Sequence, residues 1–339
     1  MVTIKQHNRE SCYELLRLIS QVLIIVYHIF SHYISKMSDD SLYKAIQMPL
    51  HAGVIVFVLL SGFFSIRPSS KKLIKLLSIF LVYSLPEIID SLVNYVSLQQ
   101  VIYSLFILSS THFWFIKTYL FLFLVSPLLN YYWDNASEKQ KNYLTAVLGF
   151  VAMYMAMTHG DKNMVDGKNL VNFMFIYYVG RTLSMYKYKW ESVRVVNYLI
   201  PFAILNILIV IGYIYGWETL RKIIWRFSFP YSSPILLLDS VLLFLVIAKW
   251  KFKSRIVNYM AESSLAIYLI HGNRLSLAKI GIASSFLFKT THSELVLCME
   301  VLCFSLLIMI TCIIVDKLLQ PIWNRTIKFG NNVYNRLGY

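Results

Sequence analysis

An arginine and a histidine, Arg17 and His28, stand eleven positions apart in the apolar run ELLRLISQVLIIVYH. Eleven helical steps of about 100° and 1.5 Å return to within about 20° of the starting direction and rise about 16 Å, so the two side chains share one helix face. A neutral imidazole, with an ordinary pKa of about 6.5, can take the proton of a hydroxyl as its oxygen attacks carbon. A guanidinium can hold an anion or polarise a carbonyl oxygen. Spacing alone leaves a plainer use open, in which Arg17 snorkels to headgroups and His28 is a packing histidine bonded to another helix.

His51, Glu87, Asp90, Arg181, Asp239, His271 and Arg274 also fall in apolar runs. Each costs roughly 2.5–3.5 kcal/mol in hydrocarbon unless it finds a partner or a water-filled cavity. Glu87 and Asp90, beside Pro86, are three apart and hence on one face, and we expect them deep in their helix. They are candidates to pair with Arg17 or Arg274, or to raise the basicity of His28. Asp239 also needs a partner, and His51 is expected at the outer end of the second span.

The elements that must position these groups are membrane helices. Hydrophobic residues make up 58% of 339 and charged ones only 14%, more apolar surface than a soluble domain of this size can hide. The apolar blocks have the length a helix needs to cross a hydrocarbon core of about 30 Å. The expected architecture is all-α, a polytopic bundle of about ten transmembrane helices. The expected spans are 15–35, 46–66, 73–97, 113–132, 143–158, 170–186, 195–216, 232–250, 258–277 and 294–316, the fifth short and the ninth interrupted. The stretch 98–112 is too brief to cross and is read as interfacial or re-entrant. Short polar intervals leave no room for a soluble domain, so residues 1–339 are expected to form one transmembrane domain.

The net charge of +15 does not imply nucleic acid, because the Lys and Arg residues alternate by loop. Clusters such as Arg67, Lys71, Lys72 and Lys75, or Lys249, Lys251, Lys253 and Arg255, fall on the side that holds the N-terminus, so both termini are expected to be cytoplasmic. Arg221, Lys222 and Arg226 run against that pattern. The basic excess otherwise serves topology and attraction to lipid. No cleavable signal is expected ahead of the first span. Cys12, Cys298, Cys303 and Cys312 have neither disulfide nor metal-ligand spacing, the last three being expected along one buried helix, and no metal site is expected. No matched pair of Gly/Pro-broken spans suggests an inverted-repeat transporter.

RESCYELLRLISQVLIIVYHIFSHY resembles the first helix of the membrane-bound acyltransferase-3 family, whose signature is an Arg, ten residues and a His. Further similarity follows in the family's order: VFVLLSGFFSIR, HFWFIKTYLFLFLVSPLLN, FIYYVGRTLSMY and SSLAIYLIH. The resemblance implies a membrane O-acetyltransferase that moves an acetyl group from cytoplasmic acetyl-CoA to a hydroxyl of a cell-surface polysaccharide, capsular or extracellular, or of its lipid-linked precursor. It implies His28 as the catalytic base, or as a covalent acyl carrier, with Arg17 its partner along the acyl path.

Arg67, Lys71 and Lys72 occupy the place of the family's basic cluster for CoA, with lysines where paired arginines are usual. A simpler reading keeps them as topology residues only. His271 would orient the acceptor or assist His28, with structural hydrogen bonding an equal alternative. Trp114, beside His112, would anchor the helix at the interface or stack on a sugar. Glu87 would act behind these groups. Acetyl-CoA would be a substrate and no cofactor would stay bound. The resemblance places the chain in the bacterial cytoplasmic membrane.

A different class is a polysaccharide exporter or lipid-linked sugar flippase, and a third is a polymerase. Both call for long polar outer loops that this sequence lacks. Mass spectrometry of surface polysaccharide from cells with and without the protein separates the classes. The expected result is loss of O-acetyl mass with the polymer retained, whereas loss of the polymer favours export or polymerisation.

Overall fold

The computed structural model describes residues 10–34, 41–94, 113–157, 166–289, 291 and 293–336. Its elements are helices throughout, with no strand among the described residues. In chain order they are α1 (Ser11–Ile29), prolonged by a π-helical turn (Phe30–Ile34), α2 (Ser41–Leu50), α3 (Ala52–Phe63), α4 (Ser70–Val93), α5 (Trp114–Asn135) and α6 (Glu138–Met157). There follow α7 (Leu170–Met185), α8 (Lys187–Ser192), α9 (Val196–Tyr215), α10 (Glu218–Ser228) and α11 (Pro234–Ala248). The last are α12 (Arg255–Ala261), α13 (Ser264–His271), α14 (Arg274–Leu287) and α15 (Glu294–Arg336).

Among the described residues, six segments are long and apolar enough to cross a membrane: Ser11–Ile34, Ser41–Phe63, Ser70–Val93, Trp114–Asn135, Val196–Tyr215 and Glu294–Arg336. Pro234–Ala248 is a shorter apolar helix. The expected ninth span is three short helices, α12 to α14. The stretch 98–112, including His112, lies outside the described residues.

Side-chain caps start several helices by accepting from otherwise unpaired amides. Ser69 caps α4 at Lys72 N–H (3.3 Å), Asn169 caps α7 at Asn172 N–H (3.0 Å) and Ser233 caps α11 at Leu236 N–H (3.1 Å). Pro234 follows Ser233 at the first helical position, where its missing N–H costs nothing.

The chain divides into two compact units. The first comprises residues 1–66 and 128–261. Its centre is α3, packed on α1, α7 and α11. Two glycines permit the tightest of these contacts. A Cβ at Gly62 would stand 2.0 Å from the Tyr177 carbonyl oxygen, and one at Gly180 would stand 2.3 Å from that of Leu59. Small residues let membrane helices approach backbone to backbone, where dispersion forces and weak C–H···O contacts hold them without a hydrophobic drive.

In this unit the segment that carries Arg221, Lys222 and Arg226 is helical, as α10. Arg221 Nη2 donates to the Ile214 carbonyl (2.7 Å), Ile224 abuts Gly212 and Trp225 meets Tyr213. These pairs step backwards along α9, so α10 folds antiparallel onto it. Two of the three basic residues that broke the loop pattern thus have a local use: Arg221 serves the hairpin and Lys222 pairs with Glu218 at 2.5 Å.

The second unit comprises residues 67–127 and 262–339. Here α15, 43 residues long, runs antiparallel to α4. Ser70 donates to the Tyr334 hydroxyl (3.0 Å), Lys75 lies over the Trp323 ring, and the Tyr83 hydroxyl donates to Asp316 (2.5 Å). Of the three cysteines on α15, only Cys312 is buried, and Cys303 is exposed. Glu87 and Asp90 are not deep: they occupy the last two turns of α4 and are half-buried.

Gly180→Val should force the α3–α7 crossing apart and destabilise the protein by about 1–3 kcal/mol or more. A lowered thermal midpoint in detergent is expected, and an unchanged midpoint would show that the crossing is not tight.

Candidate active site

α1 carries a polar stripe through apolar surroundings. Arg17 and His28 lie on this one unbroken helix, about 16 Å apart along its axis. Gln21, almost fully buried, stands between them on the same face, four residues after Arg17 and seven before His28. Helical spacing could have found it.

Near the N-terminal end of α1 the stripe opens into a cavity of about 450 Å³. Arg17 and Glu14 form one wall, joined by an ion pair at 2.6 Å. Tyr13, Phe63 and Phe64 supply aromatic surface, with the Arg17 guanidinium 5.9 Å from the Phe64 ring centre. Lys187 and Glu10 complete the lining, paired at 3.6 Å. The cations are therefore balanced by carboxylates, and the walls offer both donors and acceptors. Glu14 and Lys187 carried no spacing signal that marks them as site residues in the sequence.

The wall at Phe63 and Phe64 is held by a hydrogen-bonded knot. Ser65 has a backbone φ of 57°, a left-handed conformation uncommon in non-glycine residues. Its hydroxyl donates to Asn130 Oδ1 (3.2 Å), as does the Tyr177 hydroxyl (2.6 Å). Asn130 Nδ2 donates to the Ile66 carbonyl (2.6 Å), and Ile66 N–H donates back to Tyr177 Oη (3.1 Å). SGFFSI, SPLLN and FIYYVG, three separate motifs in sequence, thus close one network. Beside it Arg181 pairs with Asp134 at 2.7 Å, which satisfies another of the costly charges.

At the far end of α1 the His28 ring is half-buried with Nδ1 enclosed. His32 lies edge-on to it at 5.7 Å. Tyr27, the residue before His28, packs edge-on against His51 at 4.3 Å. His51 is buried, and its Nδ1–H donates to the Phe229 carbonyl at 2.7 Å.

Of the remaining sequence candidates, Asp239 lies in the first unit, bonded to Asn206, and the others belong to the second. Arg67, Lys71 and Lys72 are exposed where α4 begins, and Lys72 Nζ folds back to donate to the Arg67 carbonyl (2.6 Å). Glu87 accepts from the Arg274 backbone N–H (2.5 Å), and Asp90 pairs with the Arg274 guanidinium (2.7 Å). Arg274 is therefore the partner of both carboxylates. His271 is buried with Nδ1–H donating to Ile267 O (2.5 Å). Tyr268, three residues earlier, packs on Phe115 at 5.4 Å, and Trp114 is half-buried at the start of α5. HFWF and SSLAIYLIH therefore also meet. Asp316, buried and bonded to Tyr83 and Trp323, carried no spacing signal.

Residues 10–317 match the model of the acyltransferase domain that defines the acyltransferase-3 family. The chain belongs to that family. No curated protein and no solved structure matches it. As an acyltransferase-3 protein with several membrane-length helices, it is a multi-pass membrane acyltransferase.

In this acyltransferase the knot should behave as a unit. Asn130→Ala and Tyr177→Phe should each lower the thermal midpoint, because each strands a buried polar group. The double variant should lose less than the sum of the two, since both remove bonds of one network. Additive losses would show that the bonds act independently.

Proposed function

We propose that the protein is an O-acetyltransferase that transfers an acetyl group from cytoplasmic acetyl-CoA to a hydroxyl of a cell-surface polysaccharide or its lipid-linked precursor. The carrying observation is the Arg17 cavity at one end of α1 with His28 about 16 Å along the same face. In this reading the entire chain works as one transmembrane domain in the bacterial cytoplasmic membrane, with about ten crossings and both termini in the cytoplasm.

The donor's acyl-bearing arm enters past Arg17. Glu14 takes one guanidinium nitrogen, and the others hold the donor's pantetheine arm as it extends toward His28. The exposed Arg67, Lys71 and Lys72 supply charge for the donor's phosphates. His28 takes the acceptor's hydroxyl proton as that oxygen bonds to the thioester carbon. The tetrahedral oxyanion collapses, the carbon–sulfur bond breaks, and the CoA thiolate takes the proton from imidazolium. Product ester and free CoA thiol balance the reaction.

His271, Glu87 and Trp114 belong to the acceptor or supporting side, Glu87 acting through Arg274. Partners in this scheme are acetyl-CoA, an envelope glycan and the bilayer.

The test is transfer of radiolabelled acetyl from acetyl-CoA to polysaccharide by protein in vesicles. His28→Ala should abolish transfer while leaving the protein in the membrane. Arg17→Ala should raise the acetyl-CoA KM by about tenfold, the effect of losing one charge-assisted hydrogen bond to the donor's arm. Normal transfer by His28→Ala would sink the mechanism.

A further inference from the structure

Within the first unit, α10 and α11 form a broken helix. Both run antiparallel to α9: α10 through the pairs already described, and α11 with Asp239 accepting from Asn206 Nδ2 at 2.6 Å. Between them, residues 229–233 depart from helix, although positions 230–233 are buried. Non-helical backbone at membrane depth survives only when enclosed in protein or lining a cavity, because every freed polar group needs a partner.

The backbone freed here is met by other elements. The Phe229 carbonyl accepts from His51, Tyr231 N–H donates to the Asp166 carbonyl (2.9 Å), and Ser233 N–H donates to that of Pro230 (2.9 Å). Several side chains at the same break are not met. Ser228 Oγ, Ser232 Oγ and His51 Nε2 are buried without a hydrogen-bond partner among the described residues. These three residues are between 1% and 3% exposed.

Asn169 Nδ2 and Asn172 Oδ1 share that condition. They belong to the strip that packs on the break, since Gly167 abuts Ser232 and Asn172 Nδ2 donates to the Gly167 carbonyl. Native interiors leave few such groups, and each costs about 1–3 kcal/mol unmet. Five of the sixteen such atoms among the described residues gather on the elements that pack at this break, and a partner that is not protein would meet them together.

The atom types define that partner. The Phe229 carbonyl can only accept, so His51 carries its hydrogen on Nδ1 and, when neutral, offers a lone pair at Nε2. Asn172 Oδ1 also accepts, Asn169 Nδ2 donates, and the two serine hydroxyls do both. An anion needs donors alone, whereas this set suits a neutral molecule with several hydroxyls. Aromatic faces adjoin it: Tyr231 stacks on His51 at 4.7 Å, and Trp225 on Phe229 at 3.8 Å. Hydroxyl-matched polar atoms beside aromatic rings suit a sugar.

We propose that the break between α10 and α11 is the acceptor subsite, binding a neutral sugar residue of the polysaccharide through Ser228, Ser232 and His51. The proposal rests on the acetyl-transfer reading and deepens it. Tyr27, in contact with His51 and adjacent to His28, joins the subsite to the reacting end of α1.

The test uses the Ser228→Ala/Ser232→Ala double variant of the full chain in vesicles. The donor is acetyl-CoA, and the acceptor is de-O-acetylated polysaccharide purified from host cells lacking the protein. The acceptor KM should rise about tenfold, with the acetyl-CoA KM and the thermal midpoint held or the midpoint raised. A purely structural role predicts otherwise, because removing hydroxyls that bond no protein group leaves binding unchanged.

Transfer with an unchanged acceptor KM would overturn the subsite and leave only buried water there. A change confined to the acetyl-CoA KM would also overturn it. Absence of transfer by the parent protein would sink the acetyl-transfer reading and this subsite together.

Discussion

A polar group inside hydrocarbon has no water to fall back on, and the arrangement of this protein follows from how each such group is met. Asp239 takes Asn206, Arg181 takes Asp134, Asp90 takes Arg274 and Asp316 takes Tyr83. Each pairing lies inside one unit and joins helices distant in sequence. The cost of an unmet charge makes these contacts specific where apolar packing alone would tolerate sliding. The same condition gives meaning to the group of unmet polar atoms at the broken helix beside His51.

Close backbone contact supplies the other half of the architecture. Because lipid tails are as apolar as leucine, α3 and α7 gain little by hiding side chains from them, and they approach at Gly62 and Gly180 instead. That approach brings Tyr177 to Ser65 and Asn130. The resulting knot fixes the strained turn at Ser65 and hence the place of Phe63 and Phe64 in the wall beside Arg17. Motifs that resemble functional signatures therefore act partly as scaffold: SGFFS shapes the cavity, and its polar atoms are spent on its own support.

The cavity is also balanced in charge. Arg17 and Lys187 are each matched by a carboxylate, so the charged residues of the cavity lining balance one another. Pairing of this kind keeps the cost of burying charge low while retaining directional donors in the wall. In the second unit Arg67, Lys71 and Lys72 stay exposed at the start of α4.

The sequence by itself determined the all-helical membrane class, the shared face of Arg17 and His28, and the family. These depend on local quantities: apolar run length, helical period and motif order along the chain. It also offered Arg274 as a candidate partner for Glu87 and Asp90, because opposite charges in hydrocarbon have few alternatives. Only the tertiary structure decided that Glu14 and Lys187 line the cavity, that α10 turns back along α9, and that His51 braces a broken helix. Those outcomes depend on which helices meet and at what height, and a residue's type does not encode its neighbour across a bundle. Five scattered polar residues, Ser228, Ser232, His51, Asn169 and Asn172, carried no signal as a group until packing brought them together.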